Sequence, residues 1–135
     1  MLRIRSSENE LDIEGTAEDF TRLCRAITSL LTPGAERSIE VKCDESFDPA
    51  PYANAHSSIR ITVGSGPNHF DHSQQCLQVL GSLQSLKNFS DNFPAGDDDS
   101  GAIRYHYHYD HLSFPEYVSS DSPLLTLTLR SETVP

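Results

Sequence analysis

The sequence is short of positive charge, of long apolar runs and of every compact catalytic signature. Only 10 basic residues stand against 20 acidic ones, giving a formal net charge of −10, and both halves of the chain are acidic. Such a surface repels nucleic acid and anionic lipid and favours a basic partner. No apolar run reaches the length of a signal peptide or a bilayer-spanning helix, and Arg3, Arg5, Glu8 and Glu10 already charge the N-terminus. The expectation is a soluble, cytoplasmic protein that meets neither membrane nor nucleic acid. There is no G-x-S-x-G elbow, no phosphate-binding glycine loop, no H-E-x-x-H and no C-x-x-C, which lowers the odds of an enzyme. Cys24, Cys43 and Cys76 are odd in number and lack metal-site spacing; reduced thiols fit best, with Cys24 and Cys43 on core faces.

What is present is alternation. From Ile103 to Asp110 the residues Ile103, Tyr105, Tyr107 and Tyr109 fall on one side and Arg104, His106, His108 and Asp110 on the other, the period of a strand with one buried face. The aromatic side is expected to be core. Leu125, Leu127 and Leu129 alternate with Thr126, Thr128 and Arg130 in a second strand, and the short connection through Phe114, Pro115, Glu116 and Tyr117 makes the two antiparallel neighbours.

The first half holds a weaker copy. Ile39, Val41 and Cys43 stand in the places of Ile103, Tyr105 and Tyr107, Pro51 and Tyr52 lie near the places of Pro115 and Tyr117, and Ile59, Ile61 and Val63 match Leu125, Leu127 and Leu129. Upstream, Leu11 to Leu23 lies over Leu77 to Phe89. The 135 residues suffice for one core. They are therefore read as a single domain, internally duplicated over 1–66 and 67–135. The expected fold class is α+β: two strand-helix-strand-strand repeats forming one mainly antiparallel sheet of about seven strands, with two helices on one face.

Local signals place the elements. Leu2 and Ile4, then Leu11 and Ile13 alternating with Asp12 and Glu14, read as a hairpin. Thr16 with Asp19 forms a capping-box pattern before the helical stripe Phe20, Leu23, Cys24, Ile27, Leu30 and Leu31, and Pro33-Gly34 stops that helix. Gly64 to Ser73 reads as a turn-rich joint whose His69, Asp71 and His72 are solvated. Cys76 to Phe93 has helical spacing throughout, but the repeat instead predicts a strand over Leu77–Leu80, a turn at Gly81, an N-cap at Ser82 and a short helix through Leu86, Phe89 and Phe93. Asp97, Asp98 and Asp99 form an acidic loop, either solvated or a contact for Lys or Arg on a partner. Residues 131–135 carry no pattern and read as a tail.

His106, His108 and Asp110 are the candidates for chemistry. An H-x-H pair puts both imidazoles on one face of a strand, with the carboxylate next in the row. Same-face neighbours are roughly 6.5 to 7 Å apart, so binding zinc demands further ligands from elsewhere. The other reading of this face is contact with water or a partner, as for Glu40, Lys42 and Asp44 in the first repeat.

Glu10-Leu-Asp-Ile-Glu-Gly-Thr-Ala-Glu-Asp-Phe20, and above all His106-Tyr-His-Tyr-Asp110, Phe114-Pro-Glu-Tyr117 and Ser122-Pro-Leu-Leu-Thr-Leu127, resemble the two-repeat proteins of immunity protein family 32. That family belongs to bacterial polymorphic and contact-delivered toxin systems, and the resemblance implies a protein that binds and blocks a cognate toxin and supplies no catalytic residues. With the net charge of −10, the expected partner is a basic, nuclease-like toxin, and no cofactor is expected. The contact set expected on this reading is Asp97, Asp98, Asp99, Arg104, His106, His108, Asp110, His111, Phe114, Glu116 and Tyr117, since aromatic anchors ringed by charge suit tight interfaces. The alternative is a small metal-dependent enzyme using the histidine-rich strand.

Overall fold

A computed structural model describes residues 1–94 and 104–130, with Arg104 and Tyr105 described by their backbone. The chain runs β1 (Arg3–Ser6), β2 (Glu10–Gly15), α1 (Ala17–Leu30), β3 (Ser38–Lys42), β4 (Asn54–His56), β5 (Ser58–Val63), β6 (His69–Asp71), β7 (Cys76–Gly81), α2 (Leu83–Asp91), β8 (Arg104–His108) and β9 (Leu124–Arg130). This is an α+β fold. Its strands, however, divide between two sheets rather than sharing one: β4-β1-β2-β9-β8 and β3-β5-β7-β6.

The helices explain the division. After β2 the chain leaves the first sheet, passes through α1 and enters the second as β3; after β7 it leaves the second, passes through α2 and returns to the first as β8. Each repeat thus starts in one sheet and finishes in the other. The junctions between repeats are parallel pairs, β2 with β9 and β5 with β7, whereas the other neighbours are antiparallel. Leu11 lies beside Leu125 in one sheet and Ile59 beside Leu77 in the other, so the same matched positions meet twice with the repeats' roles exchanged.

Both helices begin as the sequence predicts. Thr16 accepts from the Asp19 amide while the Asp19 carboxylate accepts from the Thr16 amide, and Ser82 Oγ accepts from the Ser85 amide. Two of the amides that a helix start leaves without an intrahelical partner are thereby engaged. Gly34, at φ +79°, supplies the left-handed turn after α1. A single apolar core joins Leu11, Ile13, Phe20, Leu23, Ile27, Ile59, Ile61, Leu77, Leu86, Phe89, Leu125 and Leu127, all at most 1% exposed. Phe89 and Phe93 stack edge to face at 4.8 Å, and Phe20 reaches Phe93 at 5.5 Å, which closes the space between the helices.

Several expectations are corrected. Residues 69–71 are a strand, because Phe70 is buried and pairs with Val79 while its flanking polar residues face outward. The 44–57 connection contains β4, paired with β1. Ile39 pairs with Ile61 and Tyr107 with Leu127, the counterpart of Ile61; Val41 pairs with Ile59, and the Tyr109 amide bonds the Leu125 carbonyl. Ile39 therefore corresponds to Tyr107 and Val41 to Tyr109, an even-numbered slip from the sequence match, which leaves every side chain on its proper face. Cys24 is half-buried rather than core; Cys43 is buried, and burial pushes its thiol up to about 12. No helix among the described residues is long and apolar enough to cross a membrane.

Candidate functional site

The first sheet turns Leu11, Ile13, Leu125 and Leu127 inward, so Arg3, Arg5, Asp12, Glu14, Thr126, Thr128, His106 and His108 share its opposite face. This face is not simply wet. Asp12 is 2% exposed and Thr128 0%. The Thr128 hydroxyl donates to Asp12 Oδ1 at 2.6 Å, and Arg5 Nε donates to Asp12 Oδ2 at 2.9 Å. Arg5 is covered in turn by Tyr52, whose ring centroid lies 4.5 Å from the guanidinium carbon, and Arg3 bonds Asp44 at 3.1 Å beneath Phe47. The segment around residues 44–52 thus roofs the β1 side of the face. A buried carboxylate needs such partners, because desolvation without them costs several kcal/mol.

At the β8 side the face is open. His106 and His108 are exposed, and His106 Nδ1 lies 3.3 Å from Thr128 Oγ1. Tyr107, expected in the core, is 43% exposed because β8 is an edge strand and the inward row reaches full burial only at Tyr109. Asp110, expected to extend the outward row, is 6% exposed. The strand has ended at His108, and Asp110 Oδ1 instead accepts from the amides of Leu112 and Ser113, both at 3.0 Å, fixing the turn that follows. It is a buried, turn-forming residue rather than an outward-facing one.

The loop after this turn is pinned from beneath. The Phe114 ring packs 4.8 Å from Tyr109, so Phe114 is half-buried rather than a free anchor. The Tyr109 hydroxyl accepts from Asn68 Nδ2 at 3.1 Å and donates to Asn88 Oδ1 at 2.7 Å; burial raises its pKa. Asn68 also donates to the Ser85 carbonyl, and its backbone holds Tyr117 and Ser119 at 2.7 and 2.9 Å. On this base His111 and Tyr117 are half-buried, while Leu112, at 72%, and Glu116 are exposed.

Two surface recesses flank the loop, one of about 690 Å³ bordered by Pro67, His111, Val118 and Asp121, the other of about 190 Å³ along Ser113–Tyr117. His69 Nδ1 lies 3.2 Å from both Asp121 Oδ1 and Ser119 Oγ at the rim. The Ser119 hydroxyl, followed by the His69 charge, holds the Asp121 carboxyl below its usual range. Both oxygens approach the same ring nitrogen, so the trio lacks the two-sided arrangement of a nucleophile and base.

Of the expected contact set, His106, His108, His111, Phe114, Glu116 and Tyr117 lie along β8 and its following loop with at least partial exposure. Asp97, Asp98 and Asp99 lie outside the described residues, as does the Arg104 side chain. Among the described residues no three His, Cys, Asp or Glu side chains form a metal-binding group. The Arg5–Asp12–Thr128 cluster and the Asn68 pin escaped the sequence reading. Asp12 could be assigned to the outward face by alternation, but its cover comes from residues far along the chain. No family model, no curated protein and no solved structure matches this chain. The class to which structure and surface assign it is therefore no narrower than an α+β protein with a braced, partly apolar loop beside an open histidine edge.

Proposed function

We propose that the chain is an immunity protein of the bacterial cytoplasm that neutralises a cognate toxin by stoichiometric masking, as its resemblance to immunity protein family 32 implies. The observation that carries this reading is the braced loop: Leu112 and Glu116 stand exposed on a turn whose Asp110, Phe114 and Tyr117 are held by the body of the protein. Holding a loop in place before binding reduces the ordering cost of association. The net charge of −10 favours a basic, nuclease-like toxin and speeds encounter at low salt. Asp97, Asp98 and Asp99 belong to this proposal as further carboxylates for that partner.

Co-expression with the product of the adjacent reading frame is the test. Relief of that product's toxicity, with a one-to-one complex recovered on purification, is expected. A harmless product, or no complex at any salt concentration, would overturn the reading.

A further inference from the structure

The duplication provides an internal comparison for the open face. Ser38 pairs with Thr62 in the second sheet as His106 pairs with Thr128 in the first, and each pair is hydrogen-bonded, at 3.2 and 3.3 Å. Behind Thr128 stands Asp12. Thr128 is in register with Glu14 and meets Asp12 two residues back along β2; the equivalent position along β7, two residues back from Leu80, the register partner of Thr62, is Gln78, half-buried and uncharged. One of two equivalent serine-threonine-type pairs has thus become an Asp12–Thr128–His106 row, backed by Arg5.

Hydrogen-bond direction fixes what this row does. The Asp12 carboxylate, already paired with Arg5, only accepts, so the single hydroxyl proton of Thr128 is committed to it at 2.6 Å. Thr128 Oγ1 then has only lone pairs to offer His106, and Nδ1 of the ring must carry the proton. In the neutral ring Nε2 is left as an acceptor. An imidazole free in water favours the opposite tautomer, so the row selects the minor form and aims it.

We propose that His106 is a specificity-determining contact for the partner, its Nε2 lone pair held outward to accept from a Lys or Arg side chain. This rests on the toxin-binding reading and names the chemistry of its contact. In the neutral ring that lone pair offers nothing to an ionised carboxylate, which has no proton to give. The arginines described on this face are already engaged, Arg3 by Asp44, Arg5 by Asp12 and Arg130 by Asp19. The surplus negative charge of the whole chain selects a cationic donor over a neutral one.

Long-range proton–nitrogen NMR of the full ¹⁵N-labelled chain in mildly alkaline buffer reads the tautomer, and titration with the adjacent gene's product reads the contact. His106 is expected in the Nδ1–H form, shifting toward Nε2–H in Thr128→Val. His106→Ala is expected to weaken the complex about tenfold or more, the loss of one charge-assisted bond, with His106→Gln recovering much of it through its amide oxygen. An Nε2–H signal in the native chain overturns the proposal whatever the toxin does. The expected tautomer with unchanged affinity in His106→Ala overturns the contact while sparing the toxin reading. Failure of the native chain to bind overturns both, leaving the tautomer a structural feature.

Discussion

The Tyr109 hydroxyl donates to Asn88 Oδ1 at 2.7 Å, tying the chain just beyond β8 to α2. Tyr109 is 1% exposed, and the same oxygen accepts from the fully buried Asn68. Tyr109→Phe keeps the ring and removes both bonds, leaving polar groups of Asn68 and Asn88 short of a partner. The expected loss is about 1–3 kcal/mol, measured by urea unfolding. A variant as stable as the native chain would show that this cluster does not brace the loop.

Asp110 and Glu116 separate fold from contact. Asp110→Ala removes the acceptor for two turn amides and should cost about 1 kcal/mol of stability, as loss of a comparable cap does. Glu116→Lys, at an exposed site, should stay within about 0.5 kcal/mol in thermal unfolding. It should nevertheless slow association with a basic toxin, most at low salt. Equal effects of the two variants on stability would contradict the placement of Asp110.

Gly81→Ala should destabilise by about 1–3 kcal/mol. Its Cβ would run into Asn68 Oδ1, and Asn68 is clamped by the Ser85 carbonyl and by Tyr109. Gly34→Ala meets no neighbour and is penalised only by its positive φ. Unfolding curves for both variants separate steric crowding from backbone strain, and a milder effect at Gly81 would argue against a rigid Asn68.

His56 makes the fold sensitive to acid. It is 2% exposed, with Nε2 2.7 Å from Ser6 Oγ and Nδ1 3.3 Å from the Gln75 carbonyl, and burial lowers its pKa below the ordinary 6.5, with His72 acting in the same direction. Below pH 6.5 the unfolded chain takes up the proton before the folded one, so stability is present above that pH and declines until the folded-state value is reached. Asp44 acts lower down: Ser46, followed by Arg3, holds it at about 2, so its contribution is lost between about 3.8 and 2. Urea midpoints from pH 7.5 to 5 should fall in the native chain and flatten in His56→Gln. An unchanged slope in the variant would assign the loss elsewhere.

How much was legible depended on how local each signal was. Thr16 and Ser82 were readable as caps because their partners, Asp19 and Ser85, lie within one turn. Leu125, Leu127 and Leu129 were readable as an inward row because alternation lies in the chain itself. Alternation does not say which strand lies alongside, so the parallel pairing of β2 with β9 and the division into two sheets were hidden. It is also blind to an even slip, which is why Ile39 was matched to Ile103 instead of Tyr107. His106 was legible as an outward histidine; its connection to Asp12 required the pairing the sequence concealed.

That pairing has a further bearing on how the protein is made. Thr128 and Asp12 are 116 residues apart in sequence, and β2 lies between β1 and β9. During synthesis β2 has a neighbour on one side only until the last described strand leaves the ribosome. Unpaired edges and non-local partners slow folding and invite association between nascent chains. Asp12 and Glu14 then serve before the native state exists: two charges along the waiting strand oppose its capture by another copy of itself.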